Sequence, residues 1–384
     1  MDMARQKQVM IIAGETSGDI HGAQLVRVMR RQRPETVFIG MGGAAMAAAG
    51  VRIVVDAASL SVVGITEVLG RAGAILKGYR IIKQTLRRFR PDLLILIDFP
   101  DFNLRVARTA KLLGIRVLYY ISPQIWAWRT GRVRTIKKRV DHMAVIFPFE
   151  SRFFRANTIP VTYVGHPLLD HDWPEIKVPN NDPFPIIGFL PGSRKQEIER
   201  HFPVMIKSMP LINRCFEQAR YLVAPADRKQ HRLTEAMMQA QSVPPGVCEI
   251  VDGGARAVFP RCHLVLAASG TVTLEAAIAG VPMIVIYKVS PLSYLLGRIM
   301  IRVSHISLVN LIAGREIVPE LIQKEVAPEN IAHEVVAMLN GEDRLDTVRR
   351  ELSIVRKRLG TGGAAERVAD LALEMIDVGR SSFK

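Results

Sequence analysis

Short apolar runs alternate with longer amphipathic stretches from one end of the chain to the other, the rhythm of parallel strands joined by crossover helices. In the first half, residues 9–13, 37–41, 93–97, 117–121, 143–147 and 161–165 read as strands, and 20–33 and 72–90 as helices. A stretch rich in Pro, Asp and Asn then interrupts the pattern, with Pro174, Pro179, Pro183, Asn180 and Asn181. The rhythm restarts with strands at 186–190, 221–224, 249–252, 264–267 and 283–287, and a last helix is expected over 364–378, after the glycine-rich breaker 360–363. The reading is α/β: two Rossmann-like, doubly wound domains facing a central cleft, at 1–170 and 185–358, with a linker at 171–184 and a tail at 359–384. The tail can cross back onto the first domain or, in a homodimer, exchange between subunits. A chain of 384 residues is more than one core usually serves, which agrees with two domains. In such sheets ligands sit beyond the carboxyl ends of the strands, so the loops there are where chemistry is sought.

Composition narrows the partners. A formal charge of +16 favours anionic ones: nucleic acid, acidic lipid headgroups or phosphorylated substrates; a merely solvated basic surface is the plainer account. Cys215, Cys248 and Cys262 form neither a disulfide framework nor a zinc pattern and read as buried thiols of a reducing compartment. The first eight residues are too polar and too few for a signal peptide, and no run approaches the roughly 18 apolar residues of a membrane span. Membrane contact, on this reading, is peripheral.

Five loops can carry chemistry. The first strand ends in Gly14-Glu15-Thr16-Ser17-Gly18-Asp19 before a helix. The spacing fits neither the dinucleotide pattern G-x-G-x-x-G nor a P-loop. A capped turn, with Ser17 or Asp19 as cap, accounts for the glycines but leaves Glu15 without a task. The run 93–97 delivers Asp98 to the cleft rim, where partial desolvation can make a carboxylate a base; Asp101 can instead cap a helix beginning near Asn103. The loop 122–129 holds Trp126, Trp128 and Arg129, and its indoles suit either a core or a wall against a sugar or acyl chain.

In the second half, Gly192, Ser193 and Arg194 join a strand to a helix, and Ser269, Gly270 and Thr271 repeat the arrangement. Two helix starts with free N–H groups, plus the Arg194 fork, suggest a diphosphate site, and Glu275 is placed to bind ribose hydroxyls. A capping box fails at Thr271, because Leu274 stands where that motif wants Glu or Gln. Serine nucleophiles find no support and the nine histidines show no metal-ligand pattern; His166 reads as a structural hinge. Neither metal nor cofactor is expected.

Eight segments in series resemble the lipid-A-disaccharide synthase family: AGETSGD (13–19), VVGITEVLG (62–70), IDFPDFN (97–103), SPQIWAWR (122–129), VGHP (164–167), LPGSR (190–194), ASGTVTLEAA (268–277) and SLVNLIAGREIVPELIQ (307–323). The resemblance implies a GT-B glycosyltransferase whose second domain holds the UDP of the donor. It implies condensation of UDP-2,3-diacylglucosamine with 2,3-diacylglucosamine 1-phosphate to a β-1,6-linked disaccharide 1-phosphate and UDP. It places Asp98 in the catalytic acidic position with Glu15 and Ser17 in the facing loop, and Arg194, Ser269 to Thr271, Glu275, Asn310 and Gln323 on the donor side. The corresponding setting is the cytoplasmic face of the inner membrane of a Gram-negative bacterium.

A membrane-facing surface has its own pattern. Ile75, Tyr79, Ile82, Leu86 and Phe89 recur at helical spacing beside Arg80, Lys83, Arg87, Arg88 and Arg90, and residues 292–302 repeat the mix. Taken alone, the stripe at 72–90 is better read as packed on the sheet with a solvated basic face; the apolar run 62–69 before it favours an exposed apolar patch near the acceptor site. Val62, Val63 and Ile65, with Trp126, Trp128 and Arg129, are expected to face acceptor or membrane. The rival readings are another GT-B UDP-sugar transferase, a UDP-sugar epimerase and, on charge alone, a nucleic-acid binder; the last lacks any recognised binding module, so no nucleic acid is expected.

Overall fold

The computed structural model describes residues 6–60, 68–123, 125, 130–173, 176, 184–225, 227–291, 294–295, 304–341 and 343–378. The chain divides into two compact units, Met1–His171 with Leu359–Lys384, and Asp172–Arg358.

The first unit runs β1 (Gln8–Ala13), α1 (Thr16–Gln32), β2 (Val37–Gly42), α2 (Ala44–Ala48), β3 (Arg52–Asp56), α3 (Val68–Phe89), β4 (Leu93–Ile97), α4 (Pro100–Leu112), β5 (Arg116–Tyr120), α5 (Val133–Arg139), β6 (His142–Val145), α6 (Pro148–Ala156) and β7 (Val161–Tyr163). Its strands form one parallel sheet in the order β3-β2-β1-β4-β5-β6-β7. The central strands are covered on both faces, which is why β4 reads Leu-Leu-Ile-Leu-Ile with every residue buried. Each such side chain contributes about 1.5–3 kcal/mol on burial.

The stripe on α3 belongs to this core. Ile82 and Leu86 are fully buried, and Ile75, Tyr79 and Phe89 pack against the same cluster. The stripe therefore packs on the sheet, as expected for it taken alone: Ile82 and Leu86 are its buried centre, Ile75 and Tyr79 its partly open margin, and the exposed face of α3 carries Lys77, Arg80, Arg87 and Arg88 with Leu76. β3 was not expected from the apolar pattern, because an edge strand of sequence Arg-Ile-Val-Val-Asp offers no long apolar run.

The second unit runs β8 (Ile186–Leu190), α7 (Lys195–Asn213), β9 (Arg220–Val223), α8 (Arg228–Ala240), β10 (Cys248–Ile250), α9 (Ala255–Val258), β11 (Leu264–Ala268), α10 (Thr271–Ala279), β12 (Met283–Tyr287), α11 (Leu308–Ala313), β13 (Glu320–Ile322), α12 (Pro328–Asn340) and α13 (Arg344–Arg358). Its sheet is also parallel, in the order β10-β9-β8-β11-β12-β13.

The last helix, α14 (Ala364–Asp377), belongs to the first unit and packs on α1. The Asp170 carboxylate accepts hydrogen bonds from the Gly363, Ala364 and Ala365 N–H groups at 2.7, 3.1 and 3.2 Å, which caps the helix start. Arg33 grips Asp377 with two bonds of 2.8 and 2.7 Å at the other end.

Both sheets share one topological feature. From its first strand the chain builds outward on one side, then returns to build on the other. The reversal falls between β1 and β4, where Ala13 pairs with Ile97, and between β8 and β11, where Leu190 pairs with Ala267. Such switch points open a crevice at the carboxyl ends of the strands, where ligands of doubly wound sheets bind.

Candidate active site

At the first switch point, β4 delivers Asp98 and the backbone then leaves strand geometry. Asp98 and Phe99 both take left-handed conformations, with φ of 44° and 48°. That costs a non-glycine residue about 1–2 kcal/mol, so the surroundings must hold it. The Asp98 N–H donates to the Tyr120 carbonyl at 3.3 Å. The Asp98 carbonyl accepts from the Tyr119 hydroxyl and from Asn103 Nδ2, each at 2.6 Å. The Phe99 ring sits where a side chain at position 14 would be; a Cβ there would lie 2.3 Å from the ring, so glycine is required. That contact fastens the Glu15 loop to the Asp98 loop.

Burial first and the Glu15 charge second, opposed by a hydrogen bond from the Phe99 backbone, together push the Asp98 carboxyl up to a pKa of about 6. A carboxylate so placed is ionised at neutral pH and still basic enough to take a proton. Glu15 and Ser17 are exposed at the start of α1, Glu15 as its N-cap residue.

Two neighbours differ from expectation. Asp19 does not cap α1; its carboxylate accepts from the Gly43, Ala45 and Met46 N–H groups at 2.6, 3.0 and 3.1 Å and so caps α2. Nor does α4 begin near Asn103. It starts at Pro100, and Asp101, in its first turn, pairs with Arg132 from the turn before α5.

At the second switch point, one cleft in the second unit brings together Gly192, Ser193, Arg194, Ser269, Gly270, Thr271 and Glu275. Its cavity volume is about 390 Å³, within the range of small-molecule sites. Burial raises the Glu275 pKa, with the Arg256 charge opposing, and this half-buried carboxylate lines the cleft.

The two helix starts are not alike. At α7 the Glu197 carboxylate accepts from the Ser193 and Arg194 N–H groups at 2.9 and 3.1 Å and pairs with the Arg194 guanidinium at 3.2 Å. Its own third residue therefore occupies that end, which corrects the expectation of two equivalent anion sites. At α10 no side chain caps Gly270, and Thr273 turns both its N–H and its hydroxyl back to the Gly270 carbonyl. That helix start opens into the cleft.

Glu197, Ala224, Gly254 and Ala255 also line the cleft and were not singled out from the sequence. The only local signal was for Glu197, a Glu three residues beyond the helix boundary. Asn310 and Gln323 lie elsewhere in the unit. Asn310 is fully buried; its oxygen accepts from the Ile317 and Val318 N–H groups, and its amide donates to the Val318 carbonyl and to Glu320. All its hydrogen-bonding capacity is used. Gln323 brackets Val289, accepting from its N–H at 2.7 Å and donating to its carbonyl at 3.3 Å.

Val62, Val63, Ile65, Trp126, Trp128 and Arg129 lie outside the described residues, as does most of 292–302. His166 is buried, its pKa lowered to about 3 by burial and by the His21 charge, and its Nδ1 accepts from the Leu168 N–H: a neutral turn residue. Cys248 and Cys262 are buried, whereas Cys215 is exposed. Among the described residues no His, Cys, Asp or Glu side chains cluster as a metal site. Asp170 and Asp172 have Asp-x-Asp spacing, but the Asp170 carboxylate caps α14. No described helix is long and apolar enough to cross a membrane.

Comparison with known proteins adds to this geometry. Among solved structures, UDP-N-acetylglucosamine 2-epimerase of Neisseria meningitidis bound to UDP-GlcNAc is similar over 96% of this chain and 100% of its own, with a TM-score of 0.63 at 12% identity. MurG of Acinetobacter baumannii gives 0.59 at 16% identity over 96% of this chain and 99% of its own. At that identity the likeness establishes the fold, two Rossmann-like units of the GT-B type. Curated sequences are far nearer. Lipid-A-disaccharide synthase of Geobacter metallireducens is 45% identical over 98% of this chain and 99% of its own length, and that of Syntrophus aciditrophicus 45% over 96% and 98%. A family model described as lipid-A-disaccharide synthetase matches residues 9–371. The chain therefore belongs to the lipid-A-disaccharide synthase family, glycosyltransferases of lipid A biosynthesis.

Proposed function

We propose that the chain condenses UDP-2,3-diacylglucosamine with 2,3-diacylglucosamine 1-phosphate, giving the β-1,6-linked disaccharide 1-phosphate and UDP with inversion. The observation that carries the reading is Asp98, a carboxylate with a raised pKa at a sheet switch point. As the acceptor 6-hydroxyl attacks the anomeric carbon from the face opposite UDP, Asp98 takes its proton. The bond from that carbon to the β-phosphate oxygen breaks, and UDP leaves with the electron pair. General-base help of this kind is worth roughly 10²- to 10⁴-fold, or about 3–5 kcal/mol.

The second unit's cleft holds the donor in this reading. The open start of α10 and Arg194 stabilise the charge that grows on departing UDP, and Glu275 accepts from the ribose hydroxyls. Gly192 and Ser193 form the wall below Arg194. Asn310 and Gln323 act at one remove, by fixing the backbone at 317–318 and at Val289. Glu15 keeps Asp98 basic, and Ser17 stands on the same loop.

Acylated substrates require a lipid surface, and the protein meets the anionic inner face of the cytoplasmic membrane peripherally. With the α3 stripe assigned to the core, the support comes from a groove in the first unit. Ile75, Leu76, Tyr79 and Phe102 supply its apolar lining, and Arg105, Arg108 and Arg139 its cations.

The test is to incubate purified protein with both acylated substrates in EDTA. Disaccharide 1-phosphate and UDP are expected in equal amounts. Product from UDP-N-acetylglucosamine but none from the diacyl donor would point instead to another UDP-sugar transferase, or to an epimerase if no acceptor is consumed.

A further inference from the structure

We infer that Tyr119 and Asn103 are positioning residues for Asp98, which fix through its backbone carbonyl the one conformation that aims its carboxylate at the acceptor hydroxyl. The inference rests on the base role proposed for Asp98 and adds two side chains that touch no substrate.

The two donors reach the same carbonyl from different elements, Tyr119 from β5 and Asn103 from the first turns of α4. Both residues are fully buried. Asn103 Nδ2 also donates to the Ile97 carbonyl at 3.1 Å, so one amide bridges the last strand residue and the first left-handed one. Its Oδ1 is buried with no hydrogen-bond partner. A buried amide oxygen without a partner is costly, so the amide is kept for its two donations.

On the other side of Asp98, its N–H is held by the Tyr120 carbonyl. Both peptide planes that flank the residue are thereby fixed, and with them the direction of its Cα–Cβ bond. An extended conformation would relieve the left-handed strain at Asp98 and Phe99 and turn the carboxylate away. The donors on the carbonyl oppose that relaxation.

Tyr119→Phe keeps the ring in the core and removes one donor. Steady-state kinetics over a pH series are compared for wild type, Tyr119→Phe, Asp98→Asn and, as a control, Tyr221→Phe. The control deletes an equally buried hydroxyl, one that donates to Asn213 at 2.6 Å in the second unit. Tyr119→Phe is expected to lose on the order of 10- to 100-fold in kcat, with the KM of both substrates nearly unchanged. Its acid limb should move below the wild-type position near pH 6, because a carboxylate released towards water loses the burial that raised its pKa. Tyr221→Phe should keep the wild-type kcat and acid limb.

A wild-type kcat in Tyr119→Phe, or a loss with the acid limb unmoved, overturns the inference. Should that variant fail to fold, Asn103→Ala removes the other donor and carries the same expectations. Asp98→Asn separates the two levels of argument. If it turns over normally, the base role itself fails; if it is inactive while Tyr119→Phe behaves as wild type, only the positioning role fails.

Discussion

Asp98 has a raised pKa because burial strips most of its water and Glu15 stands nearby. The shift links catalysis to stability. An acid with a folded-state pKa of about 6, above its ordinary value near 4, contributes stability that is complete at low pH and lost as pH rises through 6. Asp98→Asn should therefore be more stable than wild type at pH 8, by on the order of 1–3 kcal/mol, and nearly equal to it at pH 4. Thermal unfolding at the two pH values checks this; a variant less stable than wild type at pH 8 would mean the carboxylate is well solvated or paired. Asp98 itself was legible because an apolar run as uniform as residues 93–97 can only be a buried strand, and the acid ends it. The left-handed backbone was not legible, since the bonds that hold it come from Tyr119 and Tyr120 on another strand. Asp19 shows the opposite error: the local capping rule points to its own helix, while the structure uses it on α2, more than twenty residues on.

At the scale of elements, the strands announced themselves except β3 and β13; even β7 and β10, of three residues each, were legible. β13 has only three residues, Glu-Leu-Ile, and gains its strand character from pairing with β12. The periodicity of α3 revealed a helix and its apolar face and favoured the sheet as its cover without deciding it, because a sheet and a lipid surface ask for the same stripe. The ends of α14 are held by contacts far apart in sequence. Asp170→Ala removes the acceptor for three N–H groups at its start and should destabilise the first unit by about 1–2 kcal/mol. Proteolysis should then release the tail before the rest of the chain; unchanged protection would show that Arg33, Arg31 and the packing on α1 suffice.

For the whole molecule, the same parallel topology built twice explains why the chemistry-bearing loops after β1 and β4, and after β8 and β11, recur at two switch points. The net charge of +16 now has a candidate surface in Arg105, Arg108 and Arg139 around an apolar groove. Replacing Arg105 and Arg108 by Glu should weaken sedimentation with anionic vesicles about tenfold or more at low salt, and the gap should narrow as salt rises. Binding that is equal for neutral and anionic vesicles, or unaltered by the double substitution, would remove the groove from this role.

The central claim is that Asp98 takes the proton in a glycosyl transfer fed by a UDP-sugar in the second unit's cleft. Single-turnover kinetics of Asp98→Asn, read beside its affinity for UDP, tests it most directly. The account predicts a rate at least about 10²-fold below wild type with UDP affinity essentially unchanged. Turnover near the wild-type rate would contradict it.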